Sequence, residues 1–435
     1  MDFIIYSGVS DLWAISALGA VHHRCVDVPA AVSWSEAARQ QESPTCVGAW
    51  SPRRSEVCVG TSSLDSEDCC CQQNRRQQTG HTHPLCQHED LDVRDIEEKI
   101  RRTLGSRQQK HYLVDPQLAT VVAQHLRTGD TDSVIFECNP GPGVLTRELI
   151  NAGAQRVVAL EGERSFLHDL RELEVQLGAQ LEVLHCDYFK LDSVSYSRHN
   201  SPYMTSEELF SRLGISERAW TEGVPVKVVS ILPQHKERNM LLKMVYVLLE
   251  RMSVFRYGRI ELNFFISEQE YLKMMSCPGD MINYRSSSVL WQMACDIRLL
   301  MKVPLESFVV TLPPPLKPTV DPWSVPNDHM CLVRLCPRPH LFSEGLNSSN
   351  ARALVMLIRQ CLVKRRSKLI DKLNQWSHKS GRLLLSEMAL PRDVLTGHVS
   401  PDQYLRLFLL MHHMVGVFGY SLNTKSACCQ PCVYI

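Results

Sequence analysis

The stretch FECNPGPGVL, residues 136–145, sets two glycines and two prolines between a short apolar run and an amphipathic one. Only a tight turn needs that composition. The run before it, SVIFEC, reads as a buried strand, and LTRELINAG after it as a helix closing on Gly153. Further on, RVVALE predicts a second strand, FLHDLRELEVQLG a helix and LEVLHCD a third strand. Strand, helix, strand, helix, strand predicts an α/β fold around a parallel, doubly wound, Rossmann-like sheet.

Upstream, Asp115 and Pro116 predict the start of another helix, with Leu118, Val121, Val122 and Leu126 at helical spacing. Downstream, residues 192–224 are a polar insertion holding one short helix, because Thr205 and Glu208 have capping-box spacing. VKVVSIL, GRIELNFFIS and HMCLVRLCP predict further strands, and MLLKMVYVLLERM a helix. SVLWQMACDIRLLMKV predicts a helix running into a strand, and TLPPPLKPTVDP a stiff extended loop. After Pro339 the periodicity is helical, as in ARALVMLIRQCLVKRRSKLIDKL and PDQYLRLFLLMHHM. The expected organisation is residues 1–105 without a domain of their own, a Rossmann-like domain over 106–339, and a small helical domain over 340–435.

Lys+Arg and Asp+Glu are both 47, so no overall field draws this chain to nucleic acid or membrane, and any such attraction is local. Seventeen cysteines are odd in number, and Cys138, Cys186, Cys295 and Cys361 lie in apolar runs, which suits reduced, buried thiols better than a disulfide framework. DCCCQQ and HTHPLCQH (residues 81–88) lack paired Cys-x-x-Cys spacing, so no metal site is expected. His412 and His413 lack zincin spacing, and the methionine-rich segments read as core filler. IIYSGVSDLWAISALGAV is interrupted by Asp11 and led by no basic residue, so it reads poorly as a signal peptide, and no presequence is legible. No uncharged apolar run has the length of a membrane span.

A glycine turn between strand and helix points backbone N–H groups and a positive helix end at the strand tops, where nucleotides bind. The dinucleotide fingerprint fails, because Thr146 stands in the third glycine position and Asn139 precedes Gly141 and Gly143. What the strands offer instead is an acid at the end of each: Glu137, Glu161 and Asp187. Such a set suits a cationic, ribose-bearing ligand, and S-adenosylmethionine meets that demand.

The blocks KHYLVD (110–115), FECNPGPGVLT (136–146), VVALE (157–161), HCDYF (185–189) and SSVLWQMACDIRLLMKVPLESF with its proline loop (287–315) resemble the adenine dimethyltransferases of small-subunit ribosomal RNA. The wording is most similar to the mitochondrial transcription factor B branch and its second paralogue, over residues 107–420. The resemblance implies that Leu113, Glu137, Gly141, Gly143, Glu161 and Asp187 form the cofactor pocket, Glu161 toward the ribose and Asp187 toward the adenine. Asn139 stands where the family has its first glycine.

Methylating relatives carry an Asn-Leu-Pro-Tyr type loop after the fourth strand, whose acceptors orient the target amine while the ring stacks on the base. Here the loop is Ile231-Leu232-Pro233-Gln234, which keeps the Pro233 carbonyl but neither the acceptor side chain nor the ring. Methyl transfer is therefore expected to be weak or lost. A basic stripe of Arg359, Lys364, Arg365, Arg366, Lys368, Lys372 and Lys379, opposed only by Asp371, is expected to meet phosphates. Trp376, Tyr257 and Phe255 are candidates for stacking on bases. Two functions follow by resemblance: an initiation factor in the mitochondrial matrix, working with mitochondrial RNA polymerase on promoter DNA, or an active dimethyltransferase of small-subunit ribosomal RNA. The ends of the chain, residues 1–105 and the tail SACCQPCVYI, match nothing the resemblance implies.

Overall fold

Strands rich in Val, Ile, Leu and Phe on both faces must be covered from both sides, and the order of elements does this. A computed structural model describes residues 93–102, 110–126, 133–192, 204–310, 327–376 and 380–418. The apolar N-terminal stretch, the Cys/His-rich runs, the proline loop, Lys379 and the tail lie outside the described residues.

A helix α1 (Val93–Arg102), within the residues 1–105 expected to form no domain of their own, precedes a short strand β1 (His111–Leu113). Helix α2 (Pro116–His125) starts where the capping signal puts it, the Asp115 carboxylate accepting from Gln117 N at 2.8 Å. Then come β2 (Val134–Cys138), α3 (Val144–Asn151), β3 (Val157–Glu161), α4 (Leu167–Leu177) and β4 (Leu181–His185). The insertion contributes α5 (Ser206–Arg212) with both bonds of its capping box, Glu208 N to Thr205 Oγ1 and Thr205 N to Glu208 Oε2. After it run β5 (Val226–Ile231), α6 (Glu237–Leu249), β6 (Glu261–Ser267), α7 (Glu268–Met274), α8 (Ser286–Ala294) and β7 (Cys295–Pro304). Strands β8 (Phe308–Val310) and β9 (His329–Pro337) follow, then α9 (Ala351–Leu362), α10 (Leu369–Trp376), α11 (Gly381–Glu387) and α12 (Pro401–Phe418).

The main sheet has the order β4-β3-β2-β5-β6-β9-β7. Its first five strands are parallel, as the βαβ pattern predicts, while β9 pairs antiparallel with both β6 and β7. The helix-to-strand run α8–β7 causes this: α8 crosses over to deliver β7 at the sheet edge, and the chain returns through β9 into the gap beside β6. Strand order reverses between β2 and β5, so the crevice opens where the glycine turn lies. The small antiparallel pair of β1 and β8 was not legible in the sequence, three residues each being too few to show a period.

Alternate residues of each strand serve opposite cores. Ile135, Val157, Val183, Val229 and Phe265 face α1 to α4, while Phe136, Val158, Leu184, Val228 and Phe264 join a second cluster. That second cluster runs without interruption through α6 and α8 into Leu354, Leu357, Ile358, Leu369, Leu384 and Tyr404 of the C-terminal helices.

Candidate cofactor cleft and nucleic-acid face

At the end of β2 the chain turns through Asn139 (φ +56°), Gly141 (φ +61°) and Gly143 (φ +79°) into α3. A β-carbon on Gly141 would lie 2.4 Å from Cδ1 of Tyr112, so the buried ring of β1 sits directly on the turn. The Tyr112 ring also packs on Phe166, centroids 5.3 Å apart. Gly141 N donates to Glu161 Oε2 at 2.8 Å and Glu163 N to Glu161 Oε1 at 2.6 Å, so both carboxylate oxygens clamp the turn to the end of β3. Glu137 accepts from Thr146 Oγ1 at 2.6 Å, which explains why a threonine stands in the third glycine position.

Burial pushes the Glu137 carboxyl up to about 8, the Thr146 bond only partly offsetting it, and pushes Glu161 up to about 7 against the Glu163 and Gly141 amides. Raised folded values mean that both acids favour folding when protonated; this contribution is complete below about 4.5 and is lost as pH climbs through 7 to 8. Glu137→Gln, which mimics the protonated form, is therefore expected to gain about 4 kcal/mol of stability relative to the parent between about pH 5 and about pH 8.5, read by urea unfolding at each pH. A pH-independent difference would show that Glu137 is ionised in the folded chain.

The structure brings Glu137, Gly141, Gly143, Glu161 and Asp187 together around the strand ends, with Leu113 lining a cavity of about 20 Å³ beside Glu137, Asn139, Ser230 and Ile231. That volume holds about one water. The mouth above is crossed by Asn139, flagged from the sequence, and by Lys110, which was not. Lys110 Nζ reaches Asn139 Oδ1 at 3.3 Å and Glu163 Oε1 at 3.0 Å. A β-carbon on Gly162 would lie 3.5 Å from Asn139 Oδ1 and 3.4 Å from Asp187 Cβ, so the Asn139 side chain projects over the rim between β3 and β4. Asp187 itself pairs with Lys190 at 2.7 Å and accepts from Phe189 N. The donor set fits a cation-bearing nucleoside, since buried acids raised by desolvation gain from a positive ligand; the space above them is narrowed by Asn139 and Lys110.

At the tip of β5 the 231–234 loop takes a form the sequence did not predict. Leu232 is fully buried, with its N–H on Phe265 O, and the Gln234 amide turns back to Met330 Sδ of β9 at 3.7 Å. The Pro233 carbonyl, expected to remain available to an amine, accepts from Lys236 N at 2.9 Å in a turn that leads into α6. Beside the loop, His111 is buried and its Nδ1 has no hydrogen-bond partner among the described residues; burial and then His235 bring it down to about 4, so it is neutral.

The basic stripe is not one helix. Helix α9 ends at Leu362, and residues 365–369 lie along 394–397 through Gly397 N to Arg365 O, Thr396 N to Ser367 O and Leu369 N to Val394 O. This backbone pairing outcompetes helical propensity. Lys364, Arg366 and Lys368 are exposed on the break; Lys372 is half-buried on α10, Arg359 lies over the Tyr246 ring at 5.9 Å, and Arg365 turns inward. The stacking candidates Phe255 and Tyr257 are buried, Tyr257 stacked on Phe210 at 4.0 Å, and so are unavailable to bases; Trp376 is half-buried against the core.

The profile of the family described as ribosomal RNA adenine dimethylase matches residues 99–413. The chain is 39% identical over 301 residues to dimethyladenosine transferase 2, mitochondrial, of Bos taurus, covering 69% of this chain and 76% of that one. It is 35% identical over 307 residues to the Homo sapiens protein of the same name, with the same coverages. A crystal structure of a dimethyladenosine transferase from Plasmodium falciparum superposes on 72% of this chain and all of that one, at 14% identity and a TM-score of 0.48. With glycine turn, strand-end acids and switch point in the order that this profile spans, the chain belongs to the ribosomal RNA adenine dimethylase family.

Proposed function

We propose that this protein is a mitochondrial transcription initiation factor that assists the mitochondrial RNA polymerase in opening promoter DNA, on a dimethyltransferase scaffold whose methyl transfer is weak or lost. The observation that carries this reading is the β5 loop. Ile231 offers no acceptor, Gln234 points to Met330, and the Pro233 carbonyl is engaged by Lys236. An exocyclic amine placed there has little to orient it, and lost positioning costs orders of magnitude in rate. The mitochondrial setting rests on the names of the relatives.

S-adenosylmethionine, the methyl donor of such scaffolds, would be held by Glu137, Glu161, Asp187 and the backbone around Gly141, with Leu113 beside it. Binding it requires Asn139 and Lys110 to give way at the rim. A second reading, an active dimethyltransferase of small-subunit ribosomal RNA, is favoured by one observation, the retention of all three strand-end acids in one cleft.

Two measurements on the full chain separate these. Adding it to a mitochondrial RNA polymerase on a promoter template is expected to raise run-off transcript at least tenfold. Incubating it with labelled S-adenosylmethionine and the ribosomal hairpin is expected to give little turnover. Full methylation without stimulated transcription would reverse the assignment.

A further inference from the structure

Between α7 and α8 lies the turn CPGDMINYR, residues 277–285, which is tied to Arg365 of the basic break and to residues 397–399 that run beside it. Gly279 N donates to Gly397 O at 2.8 Å, and Tyr284 Oη donates to Val399 O at 2.7 Å. Arg365 Nη1 reaches the carbonyls of both Ile282 and Tyr284, at 3.4 and 3.3 Å. Met281 covers Gly397 so closely that a β-carbon there would lie 2.8 Å from its sulfur and 3.0 Å from Arg365 O. Within the turn the Asp280 carboxylate accepts from Ile282 N and Asn283 N, both at 2.9 Å, and from Asn283 Nδ2 at 3.0 Å, so this acid is turned into the loop.

Of the large apolar side chains in this turn, Ile282 is the one turned outward, beside exposed Cys277, Pro278 and Gly279. Ile282 is 74% exposed at the tip of a turn whose neighbours are fixed on both sides, and Val363, at the start of the basic break, is 76% exposed. A large apolar side chain held in water gains nothing for the fold, and here two of them, Ile282 and Val363, lie on segments joined through Arg365. Its surroundings decide what covers it: Arg365 links the tip to a segment whose Lys364, Arg366 and Lys368 all face solvent. Apolar tips flanked by cations suit a polyanion that also offers flat apolar faces, which is a nucleic-acid strand with its bases unstacked.

We propose that the 277–285 turn is a wedge: Ile282 packs against the bases of an unpaired strand while Lys364, Arg366 and Lys368 hold its phosphates. The wedge rests on the nucleic-acid reading above and adds to it a named element selective for opened over paired strands. A duplex keeps its base faces stacked, so Ile282 has nothing to cover there, and the phosphate contacts alone remain.

The test is fluorescence anisotropy of the full chain with a labelled single strand of about twenty nucleotides, as DNA and as RNA, and with the matching DNA duplex, over a range of salt. Ile282→Ser is expected to weaken single-strand binding about tenfold, leaving duplex binding and the slope of log affinity against log salt unchanged. Ile282→Phe restores the single-strand affinity, which a merely structural role would not allow. Arg366→Ala and Lys368→Ala each lower the salt slope by about one for every target. Equal single-strand affinity of Ile282→Ser and the parent, with the cation variants still weakened, overturns the wedge and leaves the basic face standing. Loss of polymerase capture by Ile282→Ser with strand binding intact overturns it in favour of a protein partner. A parent chain that binds neither strand nor duplex overturns the wedge and the nucleic-acid reading together.

Discussion

Gly141→Ala is expected to lower the unfolding free energy by about 3 kcal/mol, the sum of a backbone part and a steric part. The left-handed backbone there (φ +61°) costs a residue with a β-carbon about 1 kcal/mol or more. The new methyl meets the Tyr112 ring at 2.4 Å, and that ring is buried against Phe166 with no open side to retreat to. Overpacking of this kind adds about 1–3 kcal/mol. Chemical denaturation of the two chains under the same conditions measures the difference. A matched Tyr112→Leu background, in which the ring is gone, should recover most of the steric part and leave the backbone part. If Gly141→Ala costs nothing in either background, the ring does not rest on the turn.

The second large effect concerns chemistry. Asn139→Gly removes the side chain that overhangs the rim and the acceptor that Lys110 grips, while glycine keeps the left-handed backbone without strain. Its affinity for S-adenosylmethionine should rise about tenfold by isothermal titration, since a bound nucleoside no longer has to displace that contact. Adding Ile231→Asn and Gln234→Tyr restores an acceptor and an aromatic face at the tip of β5. This triple variant should methylate the ribosomal hairpin about a hundredfold faster than the parent, in keeping with the rate that positioning supplies. A triple variant that binds cofactor tightly yet turns over no faster would place the loss outside the β5 loop.

The parallel half of the sheet was legible because its strands are bounded by strong punctuation: Asp115 and Pro116 before α2, the Asn139–Gly143 turn before α3, and the Thr205–Glu208 box before α5. The strand-end acids were legible for the same reason, since an acid closing an apolar run fixes its place at a sheet edge. The rim was not. Lys110 lies 29 residues from Asn139, and nothing local in the chain announces that they meet. The sequence showed that Gln234 lacks the ring of the family loop but not where its amide goes; it turns to the Met330 thioether of β9. The basic stripe was read as one helical face, because the periodicity of ARALVMLIRQCLVKRRSKLIDKL does not register the distant backbone partners that residues 394–397 supply. Phe255 and Tyr257 were named as stacking candidates although such rings more often pack in a core or rim, and the structure buries both, Tyr257 stacked on Phe210.

The apolar cluster that begins under β2 and β5 continues unbroken through α8 and α9 to α12. With no seam between them, the C-terminal helices and the sheet face they pack on share one core. On the function proposed above, a partner that seizes the cationic break also bears on the sheet beneath the cleft, and any reorientation in strand opening would be supplied by the partner or by the nucleic acid.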